Sequence, residues 1–119
     1  MQKELDAIAL DATNRLLAAP MACKEAKEAA KGYLAARGTP KEREALIAFL
    51  RELSEDITSI GDLETFAKSR EAKSEFGEEG AKAFLAHVEE LKKSGALFCD
   101  CPACKAAEDL LDLRRELLK

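Results

Sequence analysis

Apolar residues recur every three or four positions along most of this chain, which is the spacing typical of amphipathic α-helices. The pattern predicts six helical stretches separated by short breaks. The predicted stretches cover 2–19, just after Pro20 to about Gly38, 39–58, 62–77, 78–94 and 101–118. Strict apolar alternation, the mark of a half-buried strand, does not organise the sequence. An all-α fold is therefore expected.

Helix boundaries have their own signals in the first half of the chain. Pro20 cannot continue a helix, so the first stretch should end before it. Gly38 stands where a helix C-terminus favours a left-handed residue. Thr39 as N-cap, Pro40 at the first helical position and Glu42 three residues after Thr39 predict a capping box at the start of the third helix.

The second half of the chain has weaker boundary signals. Gly61 interrupts the apolar pattern, and Asp62 is expected to cap a short fourth helix that ends near Gly77. Gly95 should end the fifth helix. Cys101 is the predicted N-cap of the last helix, which should then run to about Leu118.

Short connections favour antiparallel neighbours, so the expected architecture is an up-and-down helical bundle of five to six helices. The length of 119 residues matches one domain, and we predict a single domain over 1–119. If the fourth helix crosses the bundle, each successive helix runs from one end of the bundle to the other. Cys23 and the segment 99–104 are then expected at the same end. A shorter fourth helix lying as a crosspiece would remove that argument.

Composition and charge narrow the classes of function. The net charge of −4 comes with no concentrated basic run, so we expect no nucleic-acid partner. No stretch approaches the ~20 apolar residues of a membrane span or the pattern of a signal peptide, so we expect no membrane partner and a cytoplasmic location. In that reducing compartment cysteines serve as thiols or metal ligands more often than as structural disulfides.

The distinctive chemistry lies in the cysteines, of which the chain has 4. Cys99, Cys101 and Cys104 form a C-x-C-x-x-C motif that opens the last helix, and Cys23 is expected after Pro20 in the first turn of the second. The backbone N–H groups at helix N-termini lower the pKa of thiols, and a soft metal binds thiolates. The sequence therefore predicts a metal site formed by Cys23, Cys99, Cys101 and Cys104.

Zinc is the first expectation for this site, and an iron–sulfur cluster is the alternative. Four thiolates around Zn²⁺ leave a formal charge of −2, which the helix ends and the adjacent Lys24 and Lys105 are expected to offset. A closed Cys₄ set has no open coordination position, so the metal would be structural rather than catalytic.

His87, the single histidine, is the alternative ligand. Its position eight residues before Gly95 corresponds to about 12 Å of helix rise, which favours Cys23 over it.

A thiol–disulfide oxidoreductase is the second hypothesis. Cys101 and Cys104 form a C-x-x-C pair at a helix N-terminus, where Cys101 would attack and Cys104 would resolve. The βαβ framework of thioredoxin-like proteins is not predicted, and no histidine follows Cys104 as in all-helical peroxide-reducing proteins.

Other catalytic patterns are absent from the sequence. It contains no Gly-rich nucleotide-binding motif, no H-E-x-x-H and no G-x-S-x-G. A di-iron bundle needs Glu-x-x-His pairs, but Phe84 stands three residues before His87. Glu52, Glu55 and Asp56 are interpreted as a solvated helix face.

The stretches 19–20, 23–30, 52–57, 86–87 and above all 99–104 carry a resemblance to a known group. Together they look like small clostridial-type bacterial proteins that are often labelled molecular chaperone or heat-shock protein. The resemblance implies a bacterial, cytoplasmic protein. The chain departs from the large ATP-dependent chaperones in its length and its lack of a nucleotide-binding pattern.

The leading functional hypothesis is thus a non-enzymatic helical protein with a structural metal, acting as a stress-related or interaction module. A plain helical adaptor with inert cysteines and an apolar groove for a partner helix is the third hypothesis. The sequence identifies neither a protein partner nor an oligomeric state.

Overall fold

A computed structural model describes residues 3–119, and over that range the chain is all-α, as predicted. Seven helices are present in the described part, against the five to six expected. Their bounds are α1 Lys3–Ala18, α2 Lys24–Ala36, α3 Glu42–Asp56, α4 Ile60–Ala67, α5 Arg70–Lys93, α6 Pro102–Asp112 and α7 Arg114–Leu117. The predicted start of the first helix at Gln2 lies outside the described residues.

Contacts divide the chain into two compact units. The first contains the chain up to Ile57 together with Asp100–Lys119, and the second is Thr58–Cys99. Each unit is described by itself, and the single domain expected over 1–119 stays a prediction.

The first unit is a set of helices packed through small and aliphatic side chains. Helix α1 packs against α6, and α2 packs against α3. Alanines dominate the buried faces of α1, α2 and α6, and small side chains let helix axes approach closely. The larger core residues are Leu16, Tyr33, Leu46, Phe49, Leu50, Leu53, Leu110, Leu111 and Leu117.

The rings of Tyr33 and Phe49 stack with centroids 5.8 Å apart, joining α2 to α3. Thr13 is a polar residue at 0% exposure, and its hydroxyl donates to the carbonyl oxygen of Ala9 at 2.7 Å, so its burial leaves the hydroxyl satisfied. The ring contact therefore packs the later part of α2 against the middle of α3.

The second unit consists of α4, α5 and the strand-like residues that flank them. Phe66 makes edge contacts with Phe76 and Phe84, at centroid distances of 6.3 Å and 6.1 Å. An antiparallel bridge pairs Ser59 with Phe98, so the two ends of the unit meet.

The predicted boundaries of the third and fourth helices were wrong by a few residues. The Thr39 hydroxyl donates to the carbonyl oxygen of Ala36 and accepts from the N–H of Lys41, so Thr39 belongs to the turn after α2 rather than to a capping box. Helix α4 begins at Ile60, because the Ser59 hydroxyl accepts from the Asp62 N–H and caps the helix in place of Asp62.

The later boundaries differ for similar reasons. Residues up to Gly77 were expected in the fourth helix, but Ser69 caps a new helix by accepting from the Ala72 N–H. Gly77, with φ of 74° and ψ of 169°, separates two helical segments within α5, so the predicted break near Gly77 is confirmed. The last predicted helix is divided at Leu113, whose N–H turns back to Leu110 in a tighter turn.

Candidate metal site

The start of α6 is built as the sequence predicts. Cys101 is the N-cap residue with extended backbone angles, and its Sγ accepts the N–H of Cys104 at 3.4 Å. Pro102 occupies the start of the helix, where its missing N–H costs no hydrogen bond. Cys104 therefore lies in the first helical turn, beside the partial positive charge of the helix N-terminus.

Cys99 reaches the same segment from an extended stretch. Its N–H donates to the carbonyl oxygen of Thr58 at 2.9 Å, next to the bridge between Ser59 and Phe98. This pairing fixes the backbone at Cys99, and the residue is buried. The local sequence does not predict this pairing, because it joins residues about forty positions apart.

The three sulfur atoms of Cys99, Cys101 and Cys104 all lie within 4.8 Å of one another. At a typical Zn–S distance of about 2.3 Å, tetrahedral geometry places two sulfurs roughly 3.8 Å apart, a separation that lies within this limit. Cys99 and Cys104 are buried and Cys101 is half-buried. This cysteine cluster can hold a metal ion.

The two lysines expected to offset the charge of a metal–thiolate centre have carboxylate partners of their own. Lys105 Nζ lies 3.9 Å from a carboxylate oxygen of Glu108, and Lys24 Nζ lies 4.0 Å from one of Glu28. Both lysines are exposed, so these ion pairs are weak. The helix N-terminus is the firmer source of positive potential at the cysteine cluster.

Cys23 is the N-cap of α2 rather than a residue of its first turn. Its Sγ accepts from the Ala26 N–H at 3.4 Å, and its thiol donates to Oδ2 of Asp56 at 3.3 Å. The ligand atoms of Cys23, Glu52 and Asp56 form a second group in which all lie within 4.8 Å of one another. We call this second group the Cys23 site. Participation of Cys23 in a four-cysteine set stays a prediction.

The electrostatics of the Cys23 site follow from partial burial and like charges. Desolvation raises the pKa of the Cys23 thiol, the Ala26 N–H opposes that shift, and Asp56 adds to it. The hydrogen bond with Asp56, followed by desolvation and the negative charge of that residue, raises the pKa of Glu52 to about 7. Glu52 therefore binds its proton more tightly than an ordinary glutamate does.

The sequence interpretation of Glu52 and Asp56 as a solvated helix face missed their proximity to Cys23. Their spacing of four residues does place them on one face of α3. The packing of α2 against α3 brings that face to Cys23. The four-residue spacing of Glu52 and Asp56 was visible in the sequence. The nearby thiol of Cys23 was not, because it depends on a tertiary contact.

His87 is exposed on α5. It belongs to neither ligand group found among residues 3–119. Its role as an alternative ligand stays a prediction.

Within the same described range, no helix combines the length and the apolar character needed to cross a membrane. Comparison with known proteins adds no family assignment: no protein-family model, no curated protein and no solved structure matches this chain.

Proposed function

We propose that this protein binds one thiophilic metal ion at Cys99, Cys101 and Cys104, and that the ion has a structural role. The observation that carries the proposal is the convergence of three sulfur atoms within 4.8 Å at the N-terminus of α6. Three thiols so close together repel one another once ionised, and a bound cation removes that cost. Zinc is the first candidate, and an iron–sulfur cluster is the alternative.

The role follows from what the cysteine cluster would restrain. Cys101 and Cys104 define the first turn of α6, whose Ala106 and Leu110 are fully buried. Zinc in small peptides supplies about 10–16 kcal/mol, comparable with the whole stability of a domain. A metal at this point would therefore stabilise the docking of α6 in the first unit. We infer a non-enzymatic, metal-stabilised helical protein.

The fourth ligand distinguishes two forms of this proposal. Cys23 would complete the four-cysteine set, and His87 is the alternative to it. A site of three cysteines would instead take water or an external ligand in its fourth position. The cysteine cluster supports the metal in either form.

The cellular setting is proposed from the resemblance stated above. We propose a bacterial, cytoplasmic protein that acts as a stress-related or interaction module. Its acidic charge balance supports the expectation that nucleic acid is not its partner.

The test is metal content per chain by elemental analysis, on protein purified without oxygen or chelators. Cys104→Ser is the principal variant, with Cys23→Ser beside it. We expect bound zinc in the wild type, a loss of about one equivalent in Cys104→Ser, and loss of helical circular dichroism after chelation. Wild-type protein with no bound metal, which also fails to bind added Zn²⁺ when reduced, would overturn the proposal.

A thiol–disulfide reaction at Cys101 and Cys104 is the second candidate. It is favoured by the N–H of Cys104, which donates to the Cys101 sulfur and would stabilise a thiolate there. The pair would pass two electrons and two protons to a disulfide substrate, which becomes two thiols while Cys101 and Cys104 form a disulfide. A reversible dithiol potential within the range of glutathione, in metal-free protein, would support this candidate.

A further inference from the structure

Two helices of the first unit bring three metal-ligating side chains together away from the C-x-C-x-x-C motif. Cys23 caps α2, and Asp56 is the last residue of α3, with Glu52 one turn before it. The thiol of Cys23 and Oδ2 of Asp56 are 3.3 Å apart. The ligand atoms of all three residues lie within 4.8 Å of one another, and Cys23 and Glu52 are half-buried.

These distances suit a small transition-metal ion. With Zn–S of about 2.3 Å and Zn–O of about 2.0–2.2 Å, tetrahedral coordination places a sulfur and an oxygen ligand roughly 3.5 Å apart. The separation between Cys23 and Asp56 is close to that value, so an ion can replace the thiol proton between them with little movement. One thiolate beside two carboxylates favours Zn²⁺ or Co²⁺ over Mg²⁺ or Ca²⁺, which prefer oxygen ligands alone.

The charge around the three side chains also points to a cation. Glu52 and Asp56 lie late in α3, toward the negative end of its macrodipole, and the last turn of α3 contains no basic residue. Glu25 adds negative charge at both Cys23 and Glu52, and Glu55 adds it at Glu52. Two carboxyl groups held this close are destabilising when both are ionised, and a divalent cation reverses the sign of that interaction.

We propose that Cys23, Glu52 and Asp56 form a second site that binds a borderline divalent metal ion such as Zn²⁺. Three protein ligands leave one coordination position for water, unlike a closed structural set. The Cys23 site uses no residue of Cys99, Cys101 and Cys104. This proposal can therefore be tested independently of the function proposed for those three cysteines. It assigns Cys23 to a site with the two carboxylates rather than to a four-cysteine set.

The variants that test the site remove carboxylate ligands without altering any cysteine. Asp56→Asn and Glu52→Gln are close in size to the native residues and sit at the surface or partly exposed, so they should fold. Glu44→Gln is the matched control, because Glu44 is an exposed acid of the same helix that does not belong to the group. Cys104→Ser disables the other cluster.

The experiment titrates Zn²⁺ into reduced, metal-free protein against a chromophoric chelator, with circular dichroism as the check on folding. Loss of a residue that only supports a metal ligand costs roughly 10- to 100-fold in metal affinity. We therefore expect Asp56→Asn and Glu52→Gln each to lower the affinity for one equivalent of Zn²⁺ at least about tenfold. Glu44→Gln should change that affinity much less. Cys104→Ser should still bind the equivalent of Zn²⁺ whose affinity falls in Asp56→Asn.

Unchanged Zn²⁺ affinity in both carboxylate variants would overturn the second site. So would the loss of every binding equivalent in Cys104→Ser, because Cys23 would then belong with the other cysteines. A chain that loses its single equivalent in Asp56→Asn but keeps it in Cys104→Ser would support the Cys23 site and contradict the function proposed above.

Discussion

The thiol of Cys23 donates a hydrogen bond across 3.3 Å to Oδ2 of Asp56, joining the first residue before α2 to the last residue of α3. The same sulfur accepts the N–H of Ala26. The thiol is therefore held between a helix N-terminus, which favours its ionised form, and a carboxylate, which opposes it. The ionisation of the Cys23 thiol therefore responds to changes in either neighbour.

The first prediction concerns the reactivity of Cys23. Desolvation and Asp56 raise the pKa of its thiol, so less of the reactive thiolate is present at pH 8 than for an ordinary cysteine. Asp56→Asn removes the negative charge and should speed alkylation of Cys23 in metal-free protein. Iodoacetamide labelling followed over time by peptide mass spectrometry measures this rate residue by residue. Glu55→Gln serves as the control, and equal or slower labelling in Asp56→Asn would contradict the interpretation.

The second prediction concerns the pH dependence of stability. The folded pKa of Glu52 is raised to about 7 from an ordinary value of 4.5, so the folded chain holds this proton more tightly than the unfolded chain. Its contribution to stability is fully present below about pH 4.5 and is lost as pH rises through 7.

Urea unfolding of metal-free protein between pH 4.5 and pH 8 tests the role of Glu52. Glu52→Gln keeps a hydrogen-bond donor for Asp56 and cannot ionise, so its free energy of unfolding should fall less over this range than that of the wild type. Parallel pH profiles for the two proteins would show that Glu52 titrates normally.

The third prediction concerns the core contact of α6. Leu110 is fully buried, and truncation of such a residue to alanine costs about 2–5 kcal/mol through lost burial and a cavity. Leu97 is 69% exposed, so Leu97→Ala should stay within about 0.5 kcal/mol of the wild type. Chemical denaturation of both variants provides the comparison. A small effect of Leu110→Ala would mean that α6 docks loosely.

The fourth prediction separates two glycines by backbone conformation. Gly32 lies exposed inside α2 with open space at its Cβ position, so Gly32→Ala should stabilise the protein by about 0.5–1 kcal/mol. Gly77 has φ of 74°, where a Cβ costs about 1–2 kcal/mol, so Gly77→Ala should destabilise it. Thermal melts of the two variants should move in opposite directions. A higher melting temperature for Gly77→Ala would indicate that the kink relaxes without strain.

Local signals in the sequence predicted a large part of this protein. The three- and four-residue spacing of apolar positions predicted the helices, because one buried face must repeat with the helical turn. Cys101, Pro102 and Cys104 could be placed at a helix start without tertiary information, since an N-cap and the proline after it act within a few residues. The glycines at 38 and 95 adopt the positive φ expected at helix ends.

Competition between neighbouring caps limited the local predictions. Thr39 and Asp62 have the chemistry of N-caps, but Ser59 caps α4 and Thr39 bonds to the end of α2. Several residues in a row can cap, and packing of the apolar faces selects one of them. The new start at Arg70 has the same origin, because Ser69 caps it. The extra break at Leu113 has no side-chain cap.

What the sequence by itself determined was the helical class, the apolar faces and a C-x-C-x-x-C segment at a helix N-terminus, because each depends on spacing within a few residues. Only the tertiary structure decided that Cys99 pairs with Thr58 and that Cys23 meets Asp56. Those contacts join residues more than thirty positions apart. Their geometry depends on how whole helices and turns pack, which no local pattern of residues encodes.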